Sequence, residues 1–465
     1  MDRTLPKTEG SRHKGPSPPS FVSSVLTIAG GQAGCAVIAA LAELSFARLL
    51  GPAPQGLISL CLMSIGFGTL VGSLGSEATA ILWISRSKEN PSGWFPAVML
   101  WVFTGCLLSV SAWAVLYWKL HPAFLKGLTP SLALLVVATI PASILFSIIM
   151  ALFTGEERFR LRSLMALANR AAALLAFLIA IPLLGRHAET AVVGSFMGLL
   201  FAILVSLTFV QHFFRGAWKI WEARSNLIPT MVFGLRGQAG NLAAFFSYRL
   251  DVFVVNYFLD ASQVGLYALG VLVSESLWQL AGIVSTALFP RTARTVDSGA
   301  EEFTCMILRQ VVLITVAAAL VIAVASPFVI PLLFGARFSP SVAVIWWILP
   351  GTVAFALAKV ISADLAGRGL NVHLPISALI GFAFTLLFDL VLIPRMGIQG
   401  AALASSVAYL AATIYLFVVI QRELKASWRS LLLPSFGELV AYLRLWLLLR
   451  ARFWPQRAPA ETRTP

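Results

Sequence analysis

The sequence is poor in charged residues. Only 12% of its 465 residues are Asp, Glu, Lys or Arg, whereas 58% are hydrophobic. Soluble domains carry about 25% charged residues, so the composition excludes an ordinary soluble protein. Apolar runs of about 20 residues, long enough to cross a hydrocarbon layer of roughly 30 Å as a helix, recur along the whole chain. We therefore expect an all-α integral membrane protein.

Motifs for catalysis and for cofactor binding are also missing. No Gly-Lys dipeptide occurs, which excludes a Walker A lysine, and neither HExxH nor GxSxG is present. The four cysteines stand singly in apolar runs, without the paired spacing of a zinc or redox site. We expect no catalytic residues, no metal site and no cofactor.

Basic residues exceed acidic ones, giving a formal net charge of +14. They are scattered between apolar segments, and no basic face or RNA-binding motif collects them, so we expect no nucleic-acid partner. Outside the predicted spans, 23 Lys and Arg residues lie on the side of the N-terminus and six on the other. The positive-inside rule therefore predicts that both termini are cytoplasmic.

Twelve transmembrane helices are predicted, joined by short loops. The predicted spans are 21–43, 57–84, 95–118, 130–153, 164–185, 191–213, 230–258, 264–289, 306–333, 342–366, 374–393 and 399–421. The chain then divides into a disordered cytoplasmic N-tail (1–20), a six-helix bundle (21–214), a cytoplasmic linker (215–229), a second six-helix bundle (230–421) and a cytoplasmic C-tail (422–465). Within the C-tail, residues 438–453 are short and interrupted by arginine, which favours an interfacial helix over an inserted one.

An internal repeat relates the two bundles. Gly31-Gln-Ala-Gly34 in the first span recurs as Gly237-Gln-Ala-Gly240 in the seventh. Gly155, Pro182 and Gly185 recur, at one constant spacing, as Gly367, Pro394 and Gly397. Because each half has an even number of spans, both enter the membrane in the same sense. The repeat predicts a pseudo-two-fold axis along the membrane normal, with a site between the halves, as in alternating-access transporters.

Ionisable residues inside the spans are the candidate site residues. Each costs about 2.5–3.5 kcal/mol at mid-membrane on insertion scales and usually faces an interior cavity. The predicted spans contain Glu43, Glu77, Arg170, Arg236, Arg249, Asp251, Glu275, Lys359, Asp364 and Asp389. Four of these lie nearer the span ends, where a side chain can reach water: Glu43, Arg236, Asp364 and Asp389.

Arg249 and Asp251 are two residues apart, so they diverge on a helix and each needs a partner from elsewhere. The repeat aligns Glu43 with Arg249, which suggests that the two meet across the cavity. A structural lock between the halves and a binding site both remain open. Glu275, near the middle of span 8, is the best candidate for a protonatable carboxylate. Lys359 and Arg170 lie in the inner halves of their spans, where they can attract a phosphate.

The stretch YRLDVFVVNYFLDASQVGLYALGVLVSESLWQLAGIVSTALFPRTAR (248–294) resembles the polysaccharide-biosynthesis flippases of bacteria. The features that carry the resemblance are Arg249-Leu-Asp251, Gly265-Leu-Tyr267 and Leu288-Phe-Pro290. Segments 330–351 and 392–409 are also similar to the family's connections. The resemblance covers roughly residues 20–425.

This resemblance implies the fold of the multidrug/oligosaccharidyl-lipid/polysaccharide exporter superfamily. It implies translocation of undecaprenyl-pyrophosphate-linked oligosaccharide across the bacterial cytoplasmic membrane. The implied partners are membrane lipid and the polymerase and glycosyltransferases of the same pathway. With that substrate, Arg249, Lys359 and Arg170 are expected to meet the pyrophosphate. Glu275, Asp251 and Glu43 are expected to serve ion coupling or gating, with a proton or sodium ion.

Three other functions are alternatives to this one. A multidrug antiporter of the same superfamily should have a mainly acidic cavity, because its substrates are cationic. A lipid II flippase usually has two further spans. A membrane scaffold for glycan assembly would tolerate neutralisation of its buried charges.

Overall fold

The computed structural model describes residues 21–86, 94–214, 220–294 and 299–432. Nearly all of these residues are helical, and none of them forms a strand. The predicted N-tail (1–20) and the predicted interfacial helix (438–453) lie outside the described residues, so both stay predictions.

Seven helices follow the first six predicted spans. They are α1 (Phe21–Leu50), α2 (Pro52–Ser73), α3 (Ser76–Arg86), α4 (Phe95–Phe124), α5 (Pro130–Gly155), α6 (Phe159–Leu184) and α7 (Ala188–Phe214).

The prediction of one continuous helix for the second span is wrong, because the helix is interrupted between α2 and α3. Leu74 and Gly75 both have positive φ, 47° and 75°, and this left-handed turn ends α2. Gly75 also packs so tightly on α8 that a Cβ there would lie 2.2 Å from the carbonyl oxygen of Gly234. Only glycine fits this contact, since any side chain would displace backbone.

The second half continues the pattern with longer helices. They are α8 (Ile220–Phe258), α9 (Ala261–Arg294), α10 (Gly299–Phe334), a 3₁₀ turn (Ala336–Phe338), α11 (Ser341–Gly367), α12 (His373–Met396), α13 (Ile398–Leu424) and the short α14 (Trp428–Leu432). At 1.5 Å per residue, α8 is roughly 58 Å long, which exceeds the hydrocarbon thickness. Its first turns take up residues 220–229 of the predicted linker.

Ten of the described helices are long and apolar enough to cross a membrane: α1, α2, α4, α5, α6, α7, α10, α11, α12 and α13. The helices α8 and α9 complete the twelve. Arg249 and Asp251 lie within α8 and lower its apolar character, while Glu275 lies within α9. The protein is a multi-pass membrane protein, and the described residues hold twelve helices that correspond to the twelve predicted spans.

Each half has its own hydrophobic core. One core is built from residues between Phe46 and Phe213. The other is built almost wholly from residues between Val252 and Leu431. The repeat is visible in the helix ends: α6 and α12, the fifth span of each half, both stop at a glycine with positive φ whose N–H bonds to the carbonyl four residues earlier. The two six-helix bundles thus follow one plan.

The halves meet where α2 packs on α9 and α4 packs on α8. A Cβ on Gly56 or on Gly265 would lie within 3.0 Å of the other residue's backbone nitrogen. Nearby, Asn256 donates to the Phe124 carbonyl at 2.9 Å, and the Phe124 ring stacks on Tyr257 with centroids 4.7 Å apart. We call these five residues the Gly56 seam. It holds the two halves together at the end of the helices where α2 begins.

Candidate functional site

Arg249 and Glu275 form a buried ion pair between α8 and α9. The guanidinium Nη2 lies 2.9 Å from the Glu275 Oε2. The side chain of Arg249 is 28% exposed, whereas that of Glu275 is only 4% exposed. The arginine therefore reaches from the interior towards an accessible surface, while the carboxylate beneath it is closed off from solvent.

Lys359 on α11 lies inside a ring of aromatic side chains. Its ammonium stands 4.9 Å from the ring centroid of Trp278, 4.9 Å from that of Phe355 and 5.5 Å from that of Tyr248. A cation placed over aromatic rings in this way is stabilised by about 0.5–2 kcal/mol. Lys359 also interacts electrostatically with Glu275 without forming a direct ion pair. We refer to Arg249, Glu275 and Lys359 as the cationic cluster, since two cations surround one anion.

Asp251 faces away from this cluster, as the spacing of two residues predicts. It is 3% exposed and accepts hydrogen bonds from the Tyr267 hydroxyl and, at 3.2 Å, from the Ser405 hydroxyl. Its Oδ1 also accepts from the backbone N–H of Val252 at 2.8 Å. The sequence-based expectation that Arg249 and Asp251 find separate partners on other helices is confirmed.

Asp389 and Asp364 are fully buried, so the expectation that they reach water near the span ends is wrong. Asp364 is stabilised by Arg368, 2.6 Å away, and by the Thr304 hydroxyl at 2.8 Å. Asp389 differs, because neither of its carboxylate oxygens has a hydrogen-bond partner within the described part of the chain. Asp389 also interacts electrostatically with Asp251. The side chain of Arg236 lies outside the described part of the chain.

Glu43 and Arg170 belong to the other half, on α1 and α6. Glu43 accepts a hydrogen bond from Gln55, and Arg170 is exposed while acting electrostatically on Glu43. The expected meeting of Glu43 and Arg249 across the cavity is not observed, because Arg249 is paired with Glu275. Among the described residues, no hydrogen bond or ion pair joins Glu43 or Arg170 to the cationic cluster. The six predicted site residues thus form three groups.

Sequence reasoning missed the aromatic ring around Lys359 and the electrostatic interaction of Asp389 with Asp251. The three rings come from α8, α9 and α11, and no local pattern links them. Asp389 carried a signal, since a carboxylate within an apolar run is rare. Its position near the end of a predicted span led to the wrong expectation that its side chain reaches water.

A groove of about 650 Å³ lies elsewhere, between α10 and α11. Its lining is apolar, from Val316 to Pro327 on one helix and from Trp346 to Val353 on the other. The Trp346 indole N–H donates to the Ala323 carbonyl at 3.0 Å. This carbonyl has no helical donor, because the residue four positions later is Pro327, which lacks an N–H. The groove therefore offers no polar group for a head group and is separate from the cationic cluster.

Comparisons with known proteins agree with this architecture. A family profile described as "Polysaccharide biosynthesis protein" matches residues 45–343. The uncharacterized membrane protein YabM of Bacillus subtilis (strain 168) is 35% identical over 107 residues. That match covers 21% of this chain and 20% of YabM, so it spans only about a fifth of the relative's length.

Two solved structures share the fold. The lipid II flippase MurJ in an inward closed conformation has a TM-score of 0.72 at 14% identity, covering 91% of this chain and 93% of that one. An inward-facing multidrug resistance MATE family transporter of the MOP superfamily has a TM-score of 0.62 at 13% identity, covering 83% and 94%. The family match spans more than half of the 465 residues, and the twelve helices form the two-lobed fold of these transporters. The chain therefore belongs to the polysaccharide biosynthesis protein family.

Proposed function

We propose that the protein is a flippase for polyprenyl-pyrophosphate-linked oligosaccharide. It moves the lipid-linked glycan from the inner to the outer leaflet of the bacterial cytoplasmic membrane by alternating access, with both termini in the cytoplasm. The observation that carries the proposal is the cationic cluster. Arg249 and Lys359 lie on different helices and meet at one buried site, and the chain belongs to a polysaccharide biosynthesis family.

The physical task of such a flippase is to take a pyrophosphate through hydrocarbon. An isolated buried anion is very costly, and a protein cation lowers that cost. Arg249 offers further N–H donors beyond the one that Glu275 uses, and its partial exposure makes them accessible. An inside-negative membrane potential favours outward movement of the anion by about 2.3 kcal/mol per charge per 100 mV. The polyprenyl tail stays in lipid, while the cluster holds the head group.

Arg170 has a different part in this proposal. It is exposed on α6, in the inner half of the opposite bundle. There it attracts the pyrophosphate as it enters, before the head group reaches Arg249 and Lys359. Glu43 interacts electrostatically with Arg170 and accepts a hydrogen bond from Gln55. In this proposal, Glu43 is a gating residue at the place where the head group enters.

Asp251 is the proposed ion-coupling group, together with Asp389. Two buried carboxylates that repel one another favour capture of a positive charge, either a proton or a sodium ion. The hydroxyls of Tyr267 and Ser405, which bond to Asp251, are oxygen donors that suit either ion. No group of three or more His, Cys, Asp or Glu with metal-site geometry occurs among the described residues, so a tightly held divalent metal is not part of the proposal.

The alternative function is cation-coupled multidrug antiport. Its cationic substrates require an acidic binding site, whereas two of the three members of the cationic cluster are positive. The observed signs therefore favour an anionic substrate. The polymerase and glycosyltransferases of the same pathway are the proposed protein partners.

The experiment is depletion of this protein in its own bacterium, with surface polysaccharide and polyprenyl-linked oligosaccharide quantified together. A flippase predicts that surface glycan falls while the lipid-linked intermediate accumulates. Unchanged glycan together with greater sensitivity to cationic drugs would instead establish the antiporter. If neither glycan nor drug sensitivity changes, both transport functions are wrong.

A further inference from the structure

The ion pair within the cationic cluster has a consequence for how the proposed substrate binds, and it rests on the proposed function. We infer that Glu275 competes with the pyrophosphate for Arg249 and Lys359, so that binding of the head group is accompanied by uptake of one proton at Glu275. In this exchange, the Arg249 N–H bonds pass from the carboxylate to phosphate oxygens. The proton is released by the buffer in the surrounding solution and stays on the carboxyl group.

The first support is the incomplete bonding of Glu275. Its Oε2 accepts from Arg249 at 2.9 Å, while its Oε1 is buried without a hydrogen-bond partner among the described residues. A buried carboxylate with one oxygen unsatisfied depends strongly on the cation that bonds to it directly. If Arg249 turns to another anion, the ionised form of Glu275 loses this direct partner and takes up a proton.

The second support is the position of Arg249 between a buried and an accessible region. Its side chain is 28% exposed, against 4% for Glu275. An incoming phosphate therefore approaches the guanidinium from the side opposite Glu275. Arginine can bind two anionic oxygens at once through its fork of donors, but a dianion and a carboxylate around one guanidinium repel each other.

The third support is the sum of charges that face Glu275. The charged and polar groups that act on Glu275 lie on three helices. They are Arg249, Asp251 and the Tyr248 hydroxyl on α8, Lys359 on α11, and the Tyr409 hydroxyl on α13. The two cations balance the two carboxylates. A pyrophosphate diester is a dianion, so its arrival adds two negative charges to a buried place, and protonation of one carboxylate halves this excess. Asp251 keeps its hydroxyl and backbone donors, which leaves Glu275 as the group that protonates.

A purely structural ion pair would behave differently. A pair that only fastens α8 to α9 stays closed when ligand binds, and ligand binding then moves no proton to it. Proton uptake and the effect of a neutral isostere at position 275 separate the two roles.

The test is calorimetric titration of the full-length protein in lipid nanodiscs with farnesyl diphosphate, using farnesol as the uncharged comparison. Repeating the titration in two buffers of different ionisation enthalpy, at mildly alkaline pH, counts the protons taken up. We expect the wild type to take up close to one proton per ligand. Glu275→Gln should take up none and bind about tenfold more tightly, within the range usual for coupled sites.

The matched control is Glu189→Gln, the same substitution at a carboxylate that bonds to Thr129 and Ser131 at the start of α7. It should keep the wild-type affinity and proton count. A wild-type protein that binds the diphosphate without proton uptake overturns the inference, and this result does not depend on whether Glu275→Gln folds. Weaker binding by a folded Glu275→Gln also overturns it.

Failure of the proposed function gives a different pattern. If farnesyl diphosphate binds no better than farnesol, or if Arg249→Gln and Lys359→Met leave its affinity unchanged, the cationic cluster is not a pyrophosphate site. If those two variants weaken binding while the proton count is zero, the pyrophosphate site stands and only the competition by Glu275 is wrong.

Discussion

Gly56 and Gly265 are each the fifth residue of their helix, and their backbones meet across the seam between the two halves. Equivalent positions of the two bundles thus touch at the pseudo-two-fold axis. A contact between two glycines brings helix backbones close without interlocking side chains, as in small-residue packing within membranes. Such a contact can separate without rotamer changes, which suits the proposed alternating access, in which the seam parts.

Locking the Gly56 seam should stop transport. We expect that the pair Phe124→Cys and Tyr257→Cys, placed where two stacked rings have centroids 4.7 Å apart, can be joined by oxidation or by a short bis-thiol reagent. The cross-link should abolish glycan export, and reduction should restore it. The four native cysteines are first replaced by Ala, and each single cysteine variant serves as the control. Full export by the cross-linked protein would show that the seam does not open.

Removal of Arg249 should reduce both stability and export. Arg249→Ala leaves Glu275 buried without its cation, and breaking a buried pair in this way costs about 3–5 kcal/mol. The double variant Arg249→Gln with Glu275→Gln should regain most of the stability, because no charge is left unpaired. Thermal unfolding measures the first effect, and complementation of glycan export in a depleted strain measures the second.

The double variant separates folding from function. If it is stable yet exports no glycan, Arg249 acts on the substrate. Full export by Arg249→Ala at normal expression would show that Arg249 has no central role.

Lys359 should matter for export more than for stability. Lys359→Met removes the ammonium from the three surrounding aromatic side chains, which costs about 0.5–2 kcal/mol, and we expect export to fall strongly because a cation of the substrate site is lost. Lys119→Met is the matched control, since Lys119 also lies over an indole ring, that of Trp118, at 5.0 Å. That variant should export normally. Equal export by the two variants would remove Lys359 from the substrate site.

Asp389 and Asp364 should respond in opposite ways to the same substitution. Asp389→Asn replaces a buried carboxyl that has no hydrogen-bond partner among the described residues by a neutral side chain of similar size, so the protein should stay at least as stable while export loses its dependence on the ion gradient. Asp364→Asn removes the partner of Arg368 and should destabilise the fold by about 3–5 kcal/mol without altering ion dependence. Thermal unfolding with and without sodium, and export with the proton or sodium gradient collapsed, measure both effects. An ion dependence that survives Asp389→Asn would contradict the coupling proposal.

The candidate site could be predicted residue by residue but not as an arrangement. Arg249, Glu275 and Lys359 were recognisable because a charge within an apolar run is rare. Their pairing was not, since Glu43 appeared to be the partner of Arg249 from the repeat alone. The repeat relates equivalent positions, whereas a salt bridge depends on which helix faces which. The break at Leu74 and Gly75 was also missed, because it is stabilised by contact with Gly234 of the other half.

The sequence by itself determined the membrane location, the twelve spans and the two-fold plan, because span length, hydrophobicity and the repeat are local properties of the chain. Only the tertiary structure decided that Glu275 pairs with Arg249, that Lys359 lies among three rings, and that Asp389 is buried with no hydrogen-bond partner among the described residues. These are contacts between helices far apart in sequence. Their geometry depends on how the helix faces pack, which no single helix specifies.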